Sequence, residues 1–300
     1  MSGIREIVRA ELTEPVDPRV AELAAAVAAT YPGAARAVLF YGSCLRERKL
    51  DGLMLDFYLI VSSYAAAYPR TWLAAANRLI PPNVFPFADN GLSAKYAVLS
   101  EADFARECSA AARSVSVYAR FAQPARLAWA ADDAARASAV AAVACAPQTL
   151  LALARAAMTD EEASDPLAIW RRGFAFTYGA ELRAERSSRS DAIVAADPDR
   201  YRGLAAAAGF EPGPGNGAPD SKVRAKAALY WRRMQRKGKA LSVLRLAKAS
   251  FTFAGGIDYL AWKINRHAGT DIVIAPWQRR WPLLGALTLL PRLLSRGAIR

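Results

Sequence analysis

The stretch from residue 37 to residue 61 constrains the fold most, because an apolar run ends there abruptly in a Gly-Ser pair and a second apolar run follows. Residues 38–41 (Val-Leu-Phe-Tyr) are β-branched and aromatic, which predicts a buried strand. Gly42 permits a tight turn after this strand. We expect the amides around Ser43 to form an anion-binding concavity at the start of a short helix.

The second apolar run contains one carboxylate, Asp56. Alternation along a strand puts Asp56 on one face together with Met54, Tyr58 and Ile60, and it puts four apolar residues on the other face: Leu55, Phe57, Leu59 and Val61. An unpaired carboxylate in a buried strand is costly, so Asp56 should face a cleft, a cation or a metal ion. Either Asp56 is satisfied locally in a plain strand–turn–strand, or it is a metal ligand beside a phosphate cradle in a nucleoside triphosphate site.

The order of apolar strand, Gly-Ser, spacer and strand acid resembles the nucleotidyltransferase superfamily of the polymerase-beta type. Many of those enzymes carry two acids, one residue apart, on the second strand, whereas this chain has Met54 two positions before Asp56. The combination of Tyr-Gly-Ser and Met-Leu-Asp resembles the phosphatidate cytidylyltransferases of the mitochondrial translocator-maintenance type, in which a Met-hydrophobic-Asp triplet is usual.

Further segments resemble the same family in the same order: residues 94–100, 118–124, 178–183 and 245–263. Several positions depart from its pattern. Ala119 and Gln123 stand where the family has Gly and Lys, and Glu181 stands where it has Asp. The similarity is scattered over about residues 37–265, and the shared order of the segments supports it more than any single segment does.

Members of this family join CTP to phosphatidic acid and release CDP-diacylglycerol and pyrophosphate with Mg²⁺. The resemblance implies that Asp56 holds Mg²⁺, that Gly42 and Ser43 cradle the triphosphate, and that Lys95 pairs with phosphates. The alternative for Lys95 is a solvated lysine at a strand edge.

The resemblance also proposes groups outside the first two strands. Glu181 is the candidate second acid, as a metal ligand or as a base, and a solvated helix carboxylate is the alternative. Three cations are candidates for the substrate phosphate: Arg183, Lys248 and Lys263. The alternative for Arg183 is an ordinary neighbour of Glu181 on a solvated helix, and the alternative for Lys248 and Lys263 is a general basic face.

The net charge of +13 is concentrated in residues 221–300, which hold 17 Lys and Arg against two acidic residues. Such a balance implies an anionic partner, either an acidic lipid surface or nucleic acid. The final residues, 277–300, combine a short apolar core with flanking Trp and Arg, which is typical of a segment in a membrane interface. We therefore predict a cytoplasmic protein, peripheral on the inner face of an anionic membrane, without a stable nucleic-acid partner. The alternative for residues 277–300 is a C-terminal helix packed on the domain.

Other classes of site and segment are disfavoured. Cys44, Cys108 and Cys145 are far apart, and His267 is the single histidine, so neither a zinc site nor a Ser-His-Asp mechanism is indicated. The N-terminus lacks the apolar region of a signal peptide. The uncharged run 137–154 barely reaches membrane-spanning length and contains a proline, which predicts a buried helix pair.

The predicted fold class is α+β. A polymerase-beta-like α/β nucleotidyltransferase domain at 1–132 precedes a mainly helical substrate domain at 133–276 and an amphipathic tail at 277–300. Within the first domain, we predict a loop at 85–91 before a strand at 94–99, and residues 125–129 fit either a strand or a helix.

Two other functions remain open from the sequence. One is a nucleotidyltransferase that acts on RNA or on a small molecule, with the basic C-terminal part as its nucleic-acid surface. The other is a non-catalytic adaptor on a nucleotidyltransferase scaffold, which the missing second strand acid motivates. Mg²⁺-dependent turnover of CTP distinguishes an enzyme from the adaptor.

Overall fold

The computed structural model describes residues 2–47, 50, 52–181, 189–210, 219–252 and 273–280. Within these residues the chain is a mixed α+β fold built on one five-stranded mixed sheet. The strands and helices are, in chain order: α1 Ser2–Thr13, α2 Pro18–Ala29, β1 Ala35–Tyr41, α3 Ser43–Glu47, β2 Met54–Val61, α4 Tyr64–Ala67, α5 Thr71–Leu79, β3 Asn83–Asp89, β4 Leu92–Ser100, α6 Glu101–Cys108, α7 Ser116–Phe121, β5 Ala125–Ala130, α8 Asp133–Arg155, α9 Pro166–Tyr178, α10 Arg189–Ala195, α11 Pro198–Ala207, α12 Ser221–Thr252 and α13 Pro276–Arg280.

The strands lie in the order β3-β4-β2-β1-β5. β2 and β4 are parallel, and the other three neighbouring pairs are antiparallel. The two strands predicted from the apolar runs are therefore adjacent, and β2 lies at the centre of the sheet. This position explains why β2 is almost continuously apolar, since a central strand is covered on both faces.

Helices cover both faces of the sheet. On one face, Leu55, Phe57, Leu59 and Val61 of β2 pack with α2 and the α4–α5 segment. On the other face, Tyr58 and Ile60 join a larger core that also contains residues of α1 and of α6 to α12. The alternation predicted for β2 is confirmed, and Asp56 lies on the same face as Tyr58.

The predicted loop at 85–91 is wrong, because residues 83–89 form strand β3. This strand pairs with β4 through a tight turn at Asn90 and Gly91, both of which have positive φ. Pro86 had suggested a loop, since proline lacks the N–H that a central strand needs. β3 is an edge strand, where that loss is tolerated. The ambiguous residues 125–129 are also a strand, β5.

The predicted helix pair at 137–154 is instead one continuous helix, α8, with Pro147 inside it. Its residues on both sides of the proline, such as Val143 and Leu150, are buried in the core. Burial of these side chains outweighs the local cost of the proline. Among the described helices, α8 alone is long and apolar enough to cross a membrane by length and composition, and 56% of its most apolar window is buried inside the protein.

The helices after α8 complete the larger core. Trp170 and Phe174 of α9 are fully buried, and the Trp170 indole N–H donates to the Tyr201 carbonyl at 2.8 Å. Trp231 of α12 is buried too and donates to the Leu153 carbonyl at 3.1 Å. Residues on both sides of residue 132 thus share one core, and the division into domains stays a prediction.

α12 approaches the end of α9 so closely that one position on it has to be glycine. A Cβ atom at Gly238 would overlap the backbone carbonyl oxygen of Ala180. A backbone atom cannot move aside as a flexible side chain can. The contact therefore fixes where α12 lies relative to Ala180 and to the next residue, Glu181.

We predict that Gly238→Ala lowers the free energy of unfolding by ~1–3 kcal/mol, because the overlap outweighs the higher helix propensity of alanine. Gly203→Ala in α11 is the matched control, since a Cβ there meets nothing within 4 Å. The control should be neutral or more stable by up to ~1 kcal/mol. Urea unfolding measures both variants, and a Gly238→Ala protein as stable as the parent would contradict the close contact.

Candidate functional site

A row of three side chains crosses the sheet where β1 ends and β2 begins. Tyr41 of β1 is paired with Asp56 of β2, and Asp56 is paired with Lys95 of β4. Residues paired across neighbouring strands project from the same face. The sequence had placed Asp56 and Lys95 in one site, and the sheet register brings them together.

Asp56 and Lys95 form an ion pair, with 3.0 Å between Oδ1 and Nζ. The side chains keep 20% and 31% of their surface exposed. The pair is thus open to solvent, which makes its contribution to stability small. It also leaves both groups within reach of a ligand.

Gly42 lies directly against the Asp56 carboxylate. Its φ is +97°, a conformation that residues with a side chain rarely adopt, and a Cβ there would lie 3.0 Å from Oδ2 of Asp56. Ser43 follows as the first residue of α3. The buried Cys44 then donates its thiol to the Met54 carbonyl at 3.6 Å, which ties α3 to the start of β2.

Glu181 lies just after α9 and binds Arg120 of α7. The two distances are 2.9 Å from Nη1 to Oε1 and 3.4 Å from Nη2 to Oε2. The Glu181 side chain is only 11% exposed. Burial alone would lower the pKa of Arg120, but Glu181, Tyr58 and Tyr41 together outweigh burial and hold that pKa well above its ordinary value.

Arg120 is a functional candidate that the sequence did not single out; it appeared only within the segment at 118–124. Its partner Glu181 is 61 positions away, so no local pattern indicates the pair. The signal available was an arginine inside an otherwise apolar helix, since buried cations need a partner.

Tyr58 relates the Asp56–Lys95 pair to the Arg120–Glu181 pair. It is buried, it lies two residues along β2 from Asp56, and its ring centroid is 5.3 Å from that of Tyr41. Burial raises the pKa of Tyr58, while the charges of Arg120 and Arg245 act in the opposite direction. Both arginines therefore lie close to the face of the sheet that carries Asp56.

The structure describes one of the three other predicted site residues. Lys248 of α12 donates to the carbonyls of Ile80 and Pro82, beside the sheet. Arg183 and Lys263 lie outside the described residues. So does most of the predicted tail, of which 277–280 falls in α13.

The described residues contain no group of three or more His, Cys, Asp and Glu side chains placed to hold a metal ion. Glu181 is paired with Arg120, and Asp56 with Lys95. Mg²⁺, however, is commonly held by one or two carboxylates together with substrate phosphates and water. The half-buried Asp56 carboxylate beside the space left by Gly42 fits that kind of binding.

No protein-family model matches this chain, and no curated protein sequence matches it.

We predict that Gly42→Ala removes the function of the site, because it both strains the backbone and places a methyl group on the Asp56 carboxylate. Gly33→Ala is the matched control: its φ is +70°, but a Cβ there meets nothing within 4 Å. Both variants should lose ~1 kcal/mol of stability from strain. Only Gly42→Ala should lose nucleotide binding in calorimetric titrations, and equal losses in the two variants would contradict the close approach.

Proposed function

We propose that the protein is a Mg²⁺-dependent nucleotidyltransferase that acts as a phosphatidate cytidylyltransferase. It joins CTP to phosphatidic acid and releases CDP-diacylglycerol and pyrophosphate. The observation that carries this proposal is the contact between the Gly42 turn and the Asp56 carboxylate, with Lys95 on its other side. A plain strand–turn–strand does not need a glycine held against a partly exposed acid.

The same proposal includes a division of the chain into three parts. Residues 1–132 form a polymerase-beta-like nucleotidyltransferase domain, 133–276 a mainly helical substrate domain, and 277–300 an amphipathic tail. The antiparallel β1–β2 pair, with its Gly-Ser connection and its strand acid, supports the first assignment. The helices α8 to α12 support the second, since they supply most of the helical side of the larger core.

In this proposal Asp56 would hold Mg²⁺, which would supply positive charge to offset that of the triphosphate. The missing Cβ at Gly42 leaves room for phosphate oxygens beside the carboxylate, and Ser43 adds donors. Lys95 exchanges its ion pair with Asp56 for a contact with phosphate. These changes keep the site close to neutral when a highly charged nucleotide enters.

The reaction needs no strong base. An ionised oxygen of the acceptor phosphate attacks the α-phosphorus of CTP and forms a new P–O bond. The bond from the α-phosphorus to the bridging oxygen breaks, and the electron pair leaves with pyrophosphate. The residues therefore contribute alignment and charge stabilisation, and no strong base is needed even where Glu181 accepts a proton.

Glu181 is the second acid of this proposal, and its ion pair sets a condition on that role. Its carboxylate has to exchange Arg120 for Mg²⁺ or for a proton of the acceptor. Arg120, once released, is free to bind a phosphate oxygen. Without this exchange, Glu181 acts only by orienting Arg120.

The partner surface in this proposal is an anionic membrane. α12 exposes a run of cations: Lys222, Lys226, Arg232, Arg233, Arg236, Lys237 and Lys239. It also exposes apolar side chains, Leu229 at 68% and Leu244 at 48%. Cations together with exposed apolar groups suit a lipid surface better than RNA, which cations alone would serve.

We predict that Asp56→Asn lowers the rate of CDP-diacylglycerol formation by at least about 100-fold, because it removes the charge that holds Mg²⁺. The matched control is Asp133→Asn, whose side chain is fully exposed. Purified protein is assayed with each nucleoside triphosphate, Mg²⁺ and phosphatidic acid for pyrophosphate and liponucleotide. Full activity of Asp56→Asn would sink the site assignment, and turnover with RNA but not with the lipid would favour the alternative acceptor.

We also predict that replacing Arg232, Arg233 and Arg236 by Gln weakens binding to vesicles containing phosphatidylserine by about 100-fold, at ~1 kcal/mol per charge. Binding should fall further as salt is raised. Replacing the exposed Arg5 and Arg9 of α1 by Gln is the control. Unchanged vesicle binding in the α12 variant, or preferential binding of that face to RNA, would contradict the membrane assignment.

A further inference from the structure

Two cations of α12 lie one helical turn apart against the connection between α5 and β3. Arg245 donates through Nε to the Pro81 carbonyl at 2.7 Å. Lys248 donates through Nζ to the Pro82 carbonyl at 2.7 Å and also to the Ile80 carbonyl. Both side chains are half-buried, so each is removed from most of its water but still reaches the surface.

The remaining partners of Arg245 are serine hydroxyls. Its Nη1 donates to Oγ of Ser116 at 2.7 Å, and its Nη2 to Oγ of Ser114 at 3.4 Å. Within the described part of the chain, neither Arg245 nor Lys248 forms an ion pair. Among the described residues, the hydrogen-bond acceptors of the two cations are carbonyl and hydroxyl oxygens, which carry no full negative charge.

Three other arginines with little exposed surface have carboxylate partners. Arg120 is paired with Glu181, Arg155 with Asp160, and Arg200 with Glu11. Such pairing offsets the cost of removing a charge from water. Arg245 and Lys248 are two neighbouring cations that form no such ion pair with a described residue, and a bound anion would compensate them.

The electrostatics of the two cations agree with this view. Burial, and then the charge of Arg245, lowers the pKa of Lys248 to about 7. Burial also lowers the pKa of Arg245; Tyr58, Glu181 and Glu107 act against this effect, and the charge of Arg120 adds to it. A bound anion would favour the charged form of both cations.

The position of the two cations relates them to Asp56. Arg245 and Arg120 both act on Tyr58, which lies two residues from Asp56 on the same face of β2. Pro82 directly precedes Asn83, which pairs with Val98 of β4. Val98 pairs with Leu59 of β2, three residues beyond Asp56. The two cations therefore lie further along the sheet than the Asp56 carboxylate, and reacting phosphates would have to extend from one to the other.

We propose that Arg245 and Lys248, with the Ser116 hydroxyl, bind the phosphomonoester group of the acceptor. The word acceptor rests on the proposed nucleotidyl transfer, whereas the anion site itself rests on the two cations. Binding replaces the contacts to neutral oxygens with contacts to a dianion, which are stronger. A lipid headgroup and a soluble phosphomonoester present the same group to this site.

The test measures binding without catalysis. Dihexanoyl phosphatidic acid, below its micelle concentration, and glycerol 3-phosphate are each titrated calorimetrically into the full chain without nucleotide. The variants are Arg245→Met and Lys248→Met, and Arg9→Met, an exposed cation of α1 outside the basic surface of α12, is the control. We expect each site variant to weaken phosphatidic acid binding by at least about 10-fold, as expected for loss of a charge-assisted contact, with no change in the control.

The two probes distinguish the sources of the phosphate. If the acceptor is a lipid, dihexanoyl phosphatidic acid binds more tightly than glycerol 3-phosphate, and both depend on Arg245. If the acceptor is soluble, the two bind equally and both still depend on Arg245. Either result supports the site, whereas binding that is indifferent to both Arg245 and Lys248 overturns it.

A merely structural role for Arg245 predicts a different pattern. Loss of its bonds to Pro81 and Ser116 would lower the unfolding temperature and leave acceptor binding unchanged, which would overturn the inference. Arg245→Lys retains a cation and should recover part of the binding. Calorimetry with CTP is the further control, because an equal loss of CTP binding would assign the cations to the triphosphate and also overturn the inference.

Failure of this inference is distinguishable from failure of the proposed function. Phosphomonoester binding that depends on Arg245, in a protein that transfers no nucleotide, supports the anion site and refutes the nucleotidyltransferase. Nucleotide transfer with an acceptor KM unchanged by Arg245→Met and Lys248→Met supports the enzyme and refutes the anion site.

Discussion

The contact between Gly42 and Asp56 is the constraint on which the candidate site depends. β1 has to end in a turn that passes against the first residues of β2, and only glycine fits where the Asp56 carboxylate already lies. The turn adopts a positive φ, and Cys44 then anchors the following helix to the Met54 carbonyl. The acid is thereby held at the end of the sheet rather than inside it, where solvent and a ligand reach it.

The β1–β2 part of the fold was predictable because short-range sequence patterns indicate it. The apolar runs predict two strands, and the period of two assigns Leu55 and Tyr58 to opposite faces, as the structure has them. Asp56 stood out as the one acid in an apolar strand. The register that places Lys95 beside it was not predictable, since it depends on the parallel pairing of β2 with β4.

The errors arose where tertiary structure overrides a local signal. Pro86 suggested a loop, but it lies on an edge strand that does not need its N–H. Pro147 suggested a break, but burial on both sides of it keeps α8 continuous. The pair of Arg120 with Glu181 carried no local signal at all, because residues from α7 and from the end of α9 meet only after folding.

The charged groups around the candidate site come from different elements of the protein. The sheet supplies one carboxylate and one lysine, α7 supplies Arg120, and α12 supplies two cations that neutral oxygens hold. Because Gly238 fixes α12 against Ala180, any displacement of α12 also displaces the neighbouring Glu181 and hence its ion pair with Arg120. The Glu181–Arg120 ion pair and the cations of α12 are thus coupled through one packing contact.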